Sequence, residues 1–486
     1  MGIIFTFVMG LLMSFEPITD NDWFWHYVIG HYIDVNKVIP KQELFTWHGP
    51  YNWTSHEWLT EWIMYKITPI GCLIIMLLIF ILLYILMAKS LRVKMNKLFD
   101  FRLLYLLIMT VFFKVTGPRP YIISLLFFAY LVYILFSYLD DEKKYGKLIY
   151  TIPILQILWV NFHGGSSSLP YVFITGVLLC YLFLHIFKFD EKRWTSFKIT
   201  KTQTKTLLIV LLLTIICSTF NPFGIKMLLY PWTNMADTNM IDLILEWQSA
   251  DFHGFFGFYI FIVVFFPILN MVLTDKKMKF HEIAFQFFML FMAMRSQRFI
   301  GMYAIFSMWN LGKYFFVSDN MYEVLRKPFK KFEKIITYGF ITLLVVVTCL
   351  VGYKQVSTFK RIGVIDNDGY YSDAAILKLK ELKPKRLYND FGAGGYLLYK
   401  LDEFDMLNDT KIFAYGLGDV FSSKILPDSF NLARPGSKDP LELLNEYDFD
   451  VFITTKNLTL RYYLNVLDNY KEVYSDDMCY IYVKTN

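Results

Sequence analysis

The sequence predicts a polytopic α-helical membrane protein of about eleven transmembrane helices, followed by a soluble α/β domain at the C-terminus. Three observations predict it. Apolar residues come in runs, basic residues fall on alternate loops, and the chain changes character after residue 353. Of 486 residues, 56% are hydrophobic and only 19% are charged; a soluble domain carries about 25% charged residues. A membrane span needs roughly 17–25 mainly apolar residues, and fewer where its end sinks into a polar cavity. Such runs occupy 2–18, 66–88, 103–116, 121–138, 148–160, 170–187, 206–219, 256–273, 281–294, 299–316 and 336–353.

The loops set the orientation. About 22 basic residues lie on one set of alternate loops and about six on the other. The positive-inside rule then predicts a multi-pass cell-membrane protein with a cytoplasmic N-terminus and an extracytoplasmic tail. The same distribution argues against nucleic acid as a partner, despite a net charge of +6, because the Lys and Arg sit in short loops between spans. Four of the five cysteines fall inside expected spans and Cys479 stands alone, so neither disulfides nor a cysteine zinc site is expected.

Two domains follow: 1–353, membrane-embedded with a long first outer loop at 19–65, and 354–486, α/β. In the first loop, 23–33 reads as an amphipathic helix at the interface, with Trp and Tyr at headgroup level. His26 and His31 are five residues apart, about 140° around a helix, and would not grip one metal together. His56-Glu57 opens like a zinc-protease helix but lacks the second His. In the tail, 386–389, 411–414, 450–454 and 479–484 read as strands, with helices through Leu401 and around 441–446.

The polar residues that interrupt or cap the apolar runs all fall on the outer side. They are Asp20, Asp22, His56, Glu57, Arg119, Asn161, His163, Asn221, Glu246, Arg295 and Arg298. Ionisable groups at membrane depth are costly, so their gathering at one face marks a functional site. Asp20 and Asp22 suit a base and its orienting or metal-binding partner, since burial raises a carboxylate's basicity. The alternative is a polar stop that caps the next helix. Arg119, Arg295 and Arg298 suit an anion, because a guanidinium fork matches phosphate. Their alternative is snorkelling, or pairing with the acids.

Several stretches carry a resemblance across nearly the whole chain. They are Asp20-x-Asp22-x-x-x-His26-Tyr27-x-x-Gly30, Trp53-x-x-His56-Glu57-Trp58-Leu59 and Gly117-Pro118-Arg119-Pro120. Trp159-Val160-Asn161-x-His163-Gly164-Gly165, Asn221-Pro222-Phe223-Gly224, Glu246-Trp247-x-Ser249 and, in the tail, Tyr388-Asn389-Asp390-Phe391-x-x-Gly394-Gly395 complete the set. The arrangement resembles the GT-C superfamily of membrane glycosyltransferases, and more closely a bacterial branch of GT-C-like proteins. The superfamily includes the protein O-mannosyltransferases and the lipid A aminoarabinose transferases.

The resemblance implies a polyprenyl-phosphate-linked sugar donor drawn from the membrane lipids and a glycan, lipid or protein acceptor. It also implies an inverting attack with a catalytic carboxylate at the Asp20-Asn21-Asp22 motif. In that reading Asp20 is the base. Asp22 and Glu57 orient the site or, with Asp20, hold a divalent cation such as Mg or Mn. Arg119, Arg295 or Arg298 holds the phosphate, and His163 and Asn161 contact sugar or phosphate. The tail lacks the Trp-Trp-Asp motif of oligosaccharyltransferases, which argues against peptide-sequon recognition. Two other readings remain: a flippase for lipid-linked glycans, and a non-catalytic envelope assembly protein. A polar cluster confined to one face, with no repeat, favours the enzyme.

Overall fold

The computed structural model describes residues 16–92, 118–187, 199–317, 327–366, 370–434, 436–456 and 459–485, with a few isolated positions between them. The expected spans 2–18 and 103–116 lie almost wholly outside the described residues. The rest of the apolar runs are helical: Trp58–Leu91, Tyr121–Asp140, Thr151–Phe162, Leu169–Phe187, Lys201–Cys217, Phe255–Leu273, Phe280–Arg295, Ile300–Tyr314 and Glu333–Ile362. Among the described residues, five stretches are long and apolar enough to cross a membrane: Trp58–Leu91, Tyr121–Asp140, Gly164–Phe187, Phe256–Leu273 and Ile341–Ile362. They expose large apolar side chains outward, among them Ile70, Leu78, Leu179 and Phe265.

Trp58–Leu91 starts well before the expected 66. Thr68 leaves helical geometry (φ 65°, ψ 167°) just ahead of Pro69, which has no N–H to donate. Residues 58–67 therefore form a separate arm that belongs to the first loop. This arm packs against the helix Asn21–Asn36, whose N-cap is Asp20: its Oδ1 accepts from the Asp22 N–H at 3.0 Å.

The Asn21–Asn36 helix departs from expectation. Trp23, Phe24, Trp25, His26, Val28, Ile29 and Ile33 are all buried in protein rather than spread at headgroup level. One side meets the 58–67 arm. There Gly30 permits the close approach, since a Cβ on it would overlap the Glu61 carbonyl. The other side meets the tail helix Gly394–Glu403. Tyr396 and Tyr399 pack on Phe24, and Asn21 Oδ1 accepts from the Tyr396 N–H at 2.8 Å. Gly395 allows this, because a Cβ there would meet Asn21.

The tail contains a four-stranded sheet in the order β1 (Leu387–Asn389), β2 (Val451–Thr455), β4 (Cys479–Lys484), β3 (Tyr470–Ser475). The β1–β2 pair is parallel and the other two are antiparallel. Residues 411–414 are not a strand. The Asn389 side chain takes their backbone groups, accepting from Phe413 N at 2.9 Å and donating to the Ala414 carbonyl at 2.7 Å. The first loop takes another, as Ile412 N donates to the Phe45 carbonyl at 2.9 Å. Strand β3 was missed because it is a largely exposed edge strand with no apolar alternation. The expected boundary at 353 also moves, since Glu333–Ile362 runs unbroken to a C-cap at Gly363 (φ 88°).

Asp390, next to β1, is buried with Thr455 N and Oγ1 each donating to its Oδ2 at 2.8 Å. Burial outweighs these bonds and pushes its pKa up to about 7. The folded pKa exceeds the unfolded one, so the tail gains stability towards acid pH and loses it as pH rises from about 4 to about 7. Asp390→Asn should remove a few kcal/mol of this pH dependence. Urea unfolding of the full-length protein in detergent at about pH 5 and about pH 8 checks this; the variant's midpoint should barely move.

Candidate functional site

A cavity of about 660 Å³ lies where the helix ends, the first loop and the tail meet. One part is apolar, walled by Val172, Ile260, Phe288 and Met292 among others. Phe256 and Phe288 line it while remaining 58% and 38% exposed, so this part opens towards the outer surface of the bundle. The other part gathers Asp22, His26, His56, Glu57, Arg119, His163, Glu246, Arg298 and, from the tail, Asp419.

The helix Asn21–Asn36 brings its N-terminus to the turn before Tyr121–Asp140. Arg119 Nη2 donates to Asp20 Oδ1 at 2.7 Å and Nε donates to Asp20 Oδ2. Arg119 Nη1 lies 3.0 Å from Asp22 Oδ2 and donates to Glu246 Oε1. Asp20 is therefore held at both oxygens, its side chain is only 13% exposed, and it does not line the cavity. In this arrangement Asp20, expected as the base, is a counter-ion of Arg119 rather than a carboxylate facing the cavity. Asp22, 33% exposed, faces the cavity instead. Burial raises its pKa; Arg119 opposes this, and Asp20 and Glu246 add to it. Burial would also raise Glu246, but Arg119 and Arg298 outweigh it and lower its pKa.

Arg119 is thus spent on three carboxylates. Arg298 is not: among the described residues it makes no ion pair, and its guanidinium lies 5.4 Å from the Tyr121 ring and 5.2 Å from the Trp247 ring. Three expected contacts fall away. Arg295 donates to the Met235 carbonyl at 3.2 Å on the exposed side. The Asn161 amide donates to the Ile157 and Phe220 carbonyls, each at 2.8 Å, and accepts from Trp58. Asn221 caps its own turn, donating to Ser218 O and accepting from Phe223 N. None of the three lines the cavity.

Beside the charge cluster sits a group of imidazoles and glutamates. Glu57 Oε1 lies 3.1 Å from His163 Nε2 and 3.6 Å from His56 Nε2, and its Oε2 lies 3.5 Å from His26 Nε2. His26 Nδ1 hydrogen-bonds Glu61 Oε1 at 3.0 Å. Burial alone would raise Glu57, yet the three imidazoles hold its pKa well below the usual range. His26 is pulled down by burial but raised on balance by Glu57 and Glu61. For His163 burial wins, and its pKa falls to about 4. The expected cation ligands therefore separate: Glu57 belongs to this group, while Asp20 and Asp22 are engaged by Arg119.

Sequence reading missed His26 as a member, along with Glu61, Tyr230 and Asp419. Two of these leave a signal. Asp22 and His26 are four apart, as are Glu57 and Glu61, so each pair shares a helix face. Asp419 leaves none: it arrives through tail docking, where Tyr230 Oη donates to its Oδ2 at 2.7 Å and the Tyr230 ring lies 4.6 Å from His56. The expectation of one polar face is also incomplete. A second network, buried only at Glu282, at the far ends of the helices links Glu282 to Lys313 at 2.8 Å, and Asp140 to Lys313 and Lys279 at 2.6 and 2.7 Å.

No known protein family matches the chain, and no curated protein is significantly similar to it.

Arg119→Gln strands three carboxylates together. Removing one partner of a buried ion pair costs about 3–5 kcal/mol. Partial exposure here reduces that to about 2 kcal/mol. Glu246→Gln, at a more exposed acid, should cost under about 1 kcal/mol. Thermal melts of the two detergent-solubilised variants should rank in that order.

Proposed function

We propose that the chain is a membrane glycosyltransferase of the GT-C type, with about eleven spans, a cytoplasmic N-terminus and an extracytoplasmic tail. It transfers a sugar from a polyprenyl-phosphate donor to an extracytoplasmic glycan, lipid or protein acceptor. The observation that carries this reading is the two-part cavity. Its apolar part opens towards the bundle's outer surface, and its polar part pairs a carboxylate, Asp22, with an arginine, Arg298, that makes no ion pair among the described residues. A lipid phosphate sugar has the same two-part chemistry: a long apolar chain, an anion, and a carbon to be attacked.

In the proposed reaction the acceptor oxygen attacks the anomeric carbon while Asp22 takes its proton. The bond from that carbon to the phosphate oxygen breaks, and the phosphate leaves with the electron pair. Arg298 stabilises the charge developing on it. The new bond forms on the face opposite the leaving group, so the configuration inverts. Asp20 and Arg119 hold the Asp22 backbone and carboxylate in place.

Purified protein offered a panel of polyprenyl-phosphate sugars should release or transfer sugar. Asp22→Asn should lower the rate by about 10²–10⁴-fold and Arg298→Ala by about 10²–10³-fold. A base must be ionised to act, and Asp22 is raised, so wild-type activity should fall on the acid side at a pH above the ordinary aspartate value of about 3.9. Near-normal rates in Asp22→Asn would remove it as the base. Donor binding without any release would favour transport of lipid-linked glycans instead.

A further inference from the structure

The geometry points to a transition-metal site formed by His56 Nε2, His163 Nε2 and Glu57 Oε1, with a free coordination position facing the cavity and Zn(II) as the best-fitting ion. This is a different ligand set from the carboxylates of the aspartate motif, and a different class of ion from Mg.

The first argument is spacing. The Glu57 oxygen stands 3.1 Å from one imidazole nitrogen and 3.6 Å from the other, and all three atoms lie within 4.8 Å of one another. Two ligands of one first-row ion, with bonds of roughly 2.0–2.2 Å, stand roughly 3–3.6 Å apart.

The second argument is an orphan atom. His163 is buried, with its side chain 3% exposed. Among the described residues its Nε2 has no partner that meets hydrogen-bond geometry, although Glu57 Oε1 stands 3.1 Å away. A lone pair held 3.1 Å from a carboxylate oxygen is repulsive unless a cation lies between them. An N–H there would be an unsatisfied buried donor.

The third argument is the surrounding shell. His163 Nδ1 meets Ser124 Oγ at 2.7 Å and Ser166 Oγ at 3.1 Å. A proton on Nδ1 leaves the Nε2 lone pair for the metal. On the far side of Glu57, His26 bridges to Glu61 and occupies the second carboxylate oxygen's side, which leaves Oε1 pointing at the two imidazoles. Carboxylate–histidine partners of this kind orient metal ligands. Two imidazoles with one carboxylate and an open position suit zinc and its neighbours in the first row better than Mg, which prefers all-oxygen octahedral sites. His56, Glu57 and His163 all line the cavity, so the open position is available to a ligand there.

The test reads bound metal rather than product, so it stands or falls apart from the glycosyltransferase reading. Full-length protein in detergent is stripped with EDTA and titrated with Co(II), followed by its visible absorption. Zn(II) is then added in competition. One equivalent of Co(II) should bind, give the intense bands of a low-coordinate site, and be displaced by Zn(II). His56→Gln and His163→Gln should weaken binding by at least about tenfold, while Asp22→Asn should leave it unchanged. A zinc-induced rise in melting temperature should appear in wild type and vanish in His56→Gln, whose partly exposed position makes misfolding a lesser concern. Absence of the bands in wild type at saturating Co(II), or unaltered affinity in both histidine variants, would overturn the site.

Discussion

The rest of the structure depends on burying the helix Asn21–Asn36 inside protein on two sides. Trp23, Phe24, Val28 and Ile29 leave water almost completely. At about 25 cal/mol per Å² of apolar surface, a set of aromatic and aliphatic residues of this size is a major source of cohesion. That burial has directional consequences. It fixes the helix against the 58–67 arm through Gly30, and so sets His26 against Glu57 and Glu61. It fixes the helix N-terminus beside Arg119, and so places Asp20 and Asp22. It also gives the tail a surface to dock on, through Asn21, Gly395 and Tyr396.

The charges around the cavity follow a pairing logic. Buried ions are costly unless paired and hydrogen-bonded. Arg119 meets that demand for Asp20, while Asp22 and Glu246 share what remains of its charge. Burial, with a smaller addition from Asp20 and Glu246, outweighs the pull of Arg119 and keeps Asp22 a stronger base than a solvated aspartate. Arg298 lowers the Glu246 pKa but makes no ion pair among the described residues, and aromatic rings on two sides stabilise its charge without neutralising it. A cation held by rings keeps its attraction for an incoming anion, whereas one held by carboxylates has largely lost it. The far network at Glu282, Lys313 and Asp140 pairs its charges throughout and lines no part of the cavity, so it reads as a clasp between helix ends.

Much of this was legible in the sequence, and the failures have physical causes. Apolar runs gave the positions of the helices, because nothing but a helix satisfies backbone groups within an apolar run of that length. The polar set at one end was found by the cost of placing ions there. The roles inside that set were not legible. Whether a carboxylate is a base or a counter-ion depends on which arginine reaches it, and Asp20 and Asp22 differ in this by a single helical position on either side of Asn21. Arg295 and Arg298 look alike in sequence, yet one donates to a backbone carbonyl on the exposed side and the other stacks within the cavity. Residues 411–414 read as a strand from their composition, but Asn389 had already claimed their backbone groups.

The tail is part of the cavity wall, and this changes how the chain should be understood. Gly416 to Asp419 reach back over the helix ends, and Asp419 connects through Tyr230 to His56. The first loop is equally committed: His48 Nε2 lies 2.7 Å from the Phe413 carbonyl, and Trp47 donates to the Leu387 carbonyl at 3.2 Å. Two segments far apart in sequence therefore share one core, and neither would hold its present form alone. Because the polar groups that face the cavity are drawn from both, the relative placement of loop and tail sets their mutual distances. A shift of about 1 Å between reacting groups lowers rates by roughly 10²-fold, so docking of the tail is itself a condition for any chemistry at Asp22.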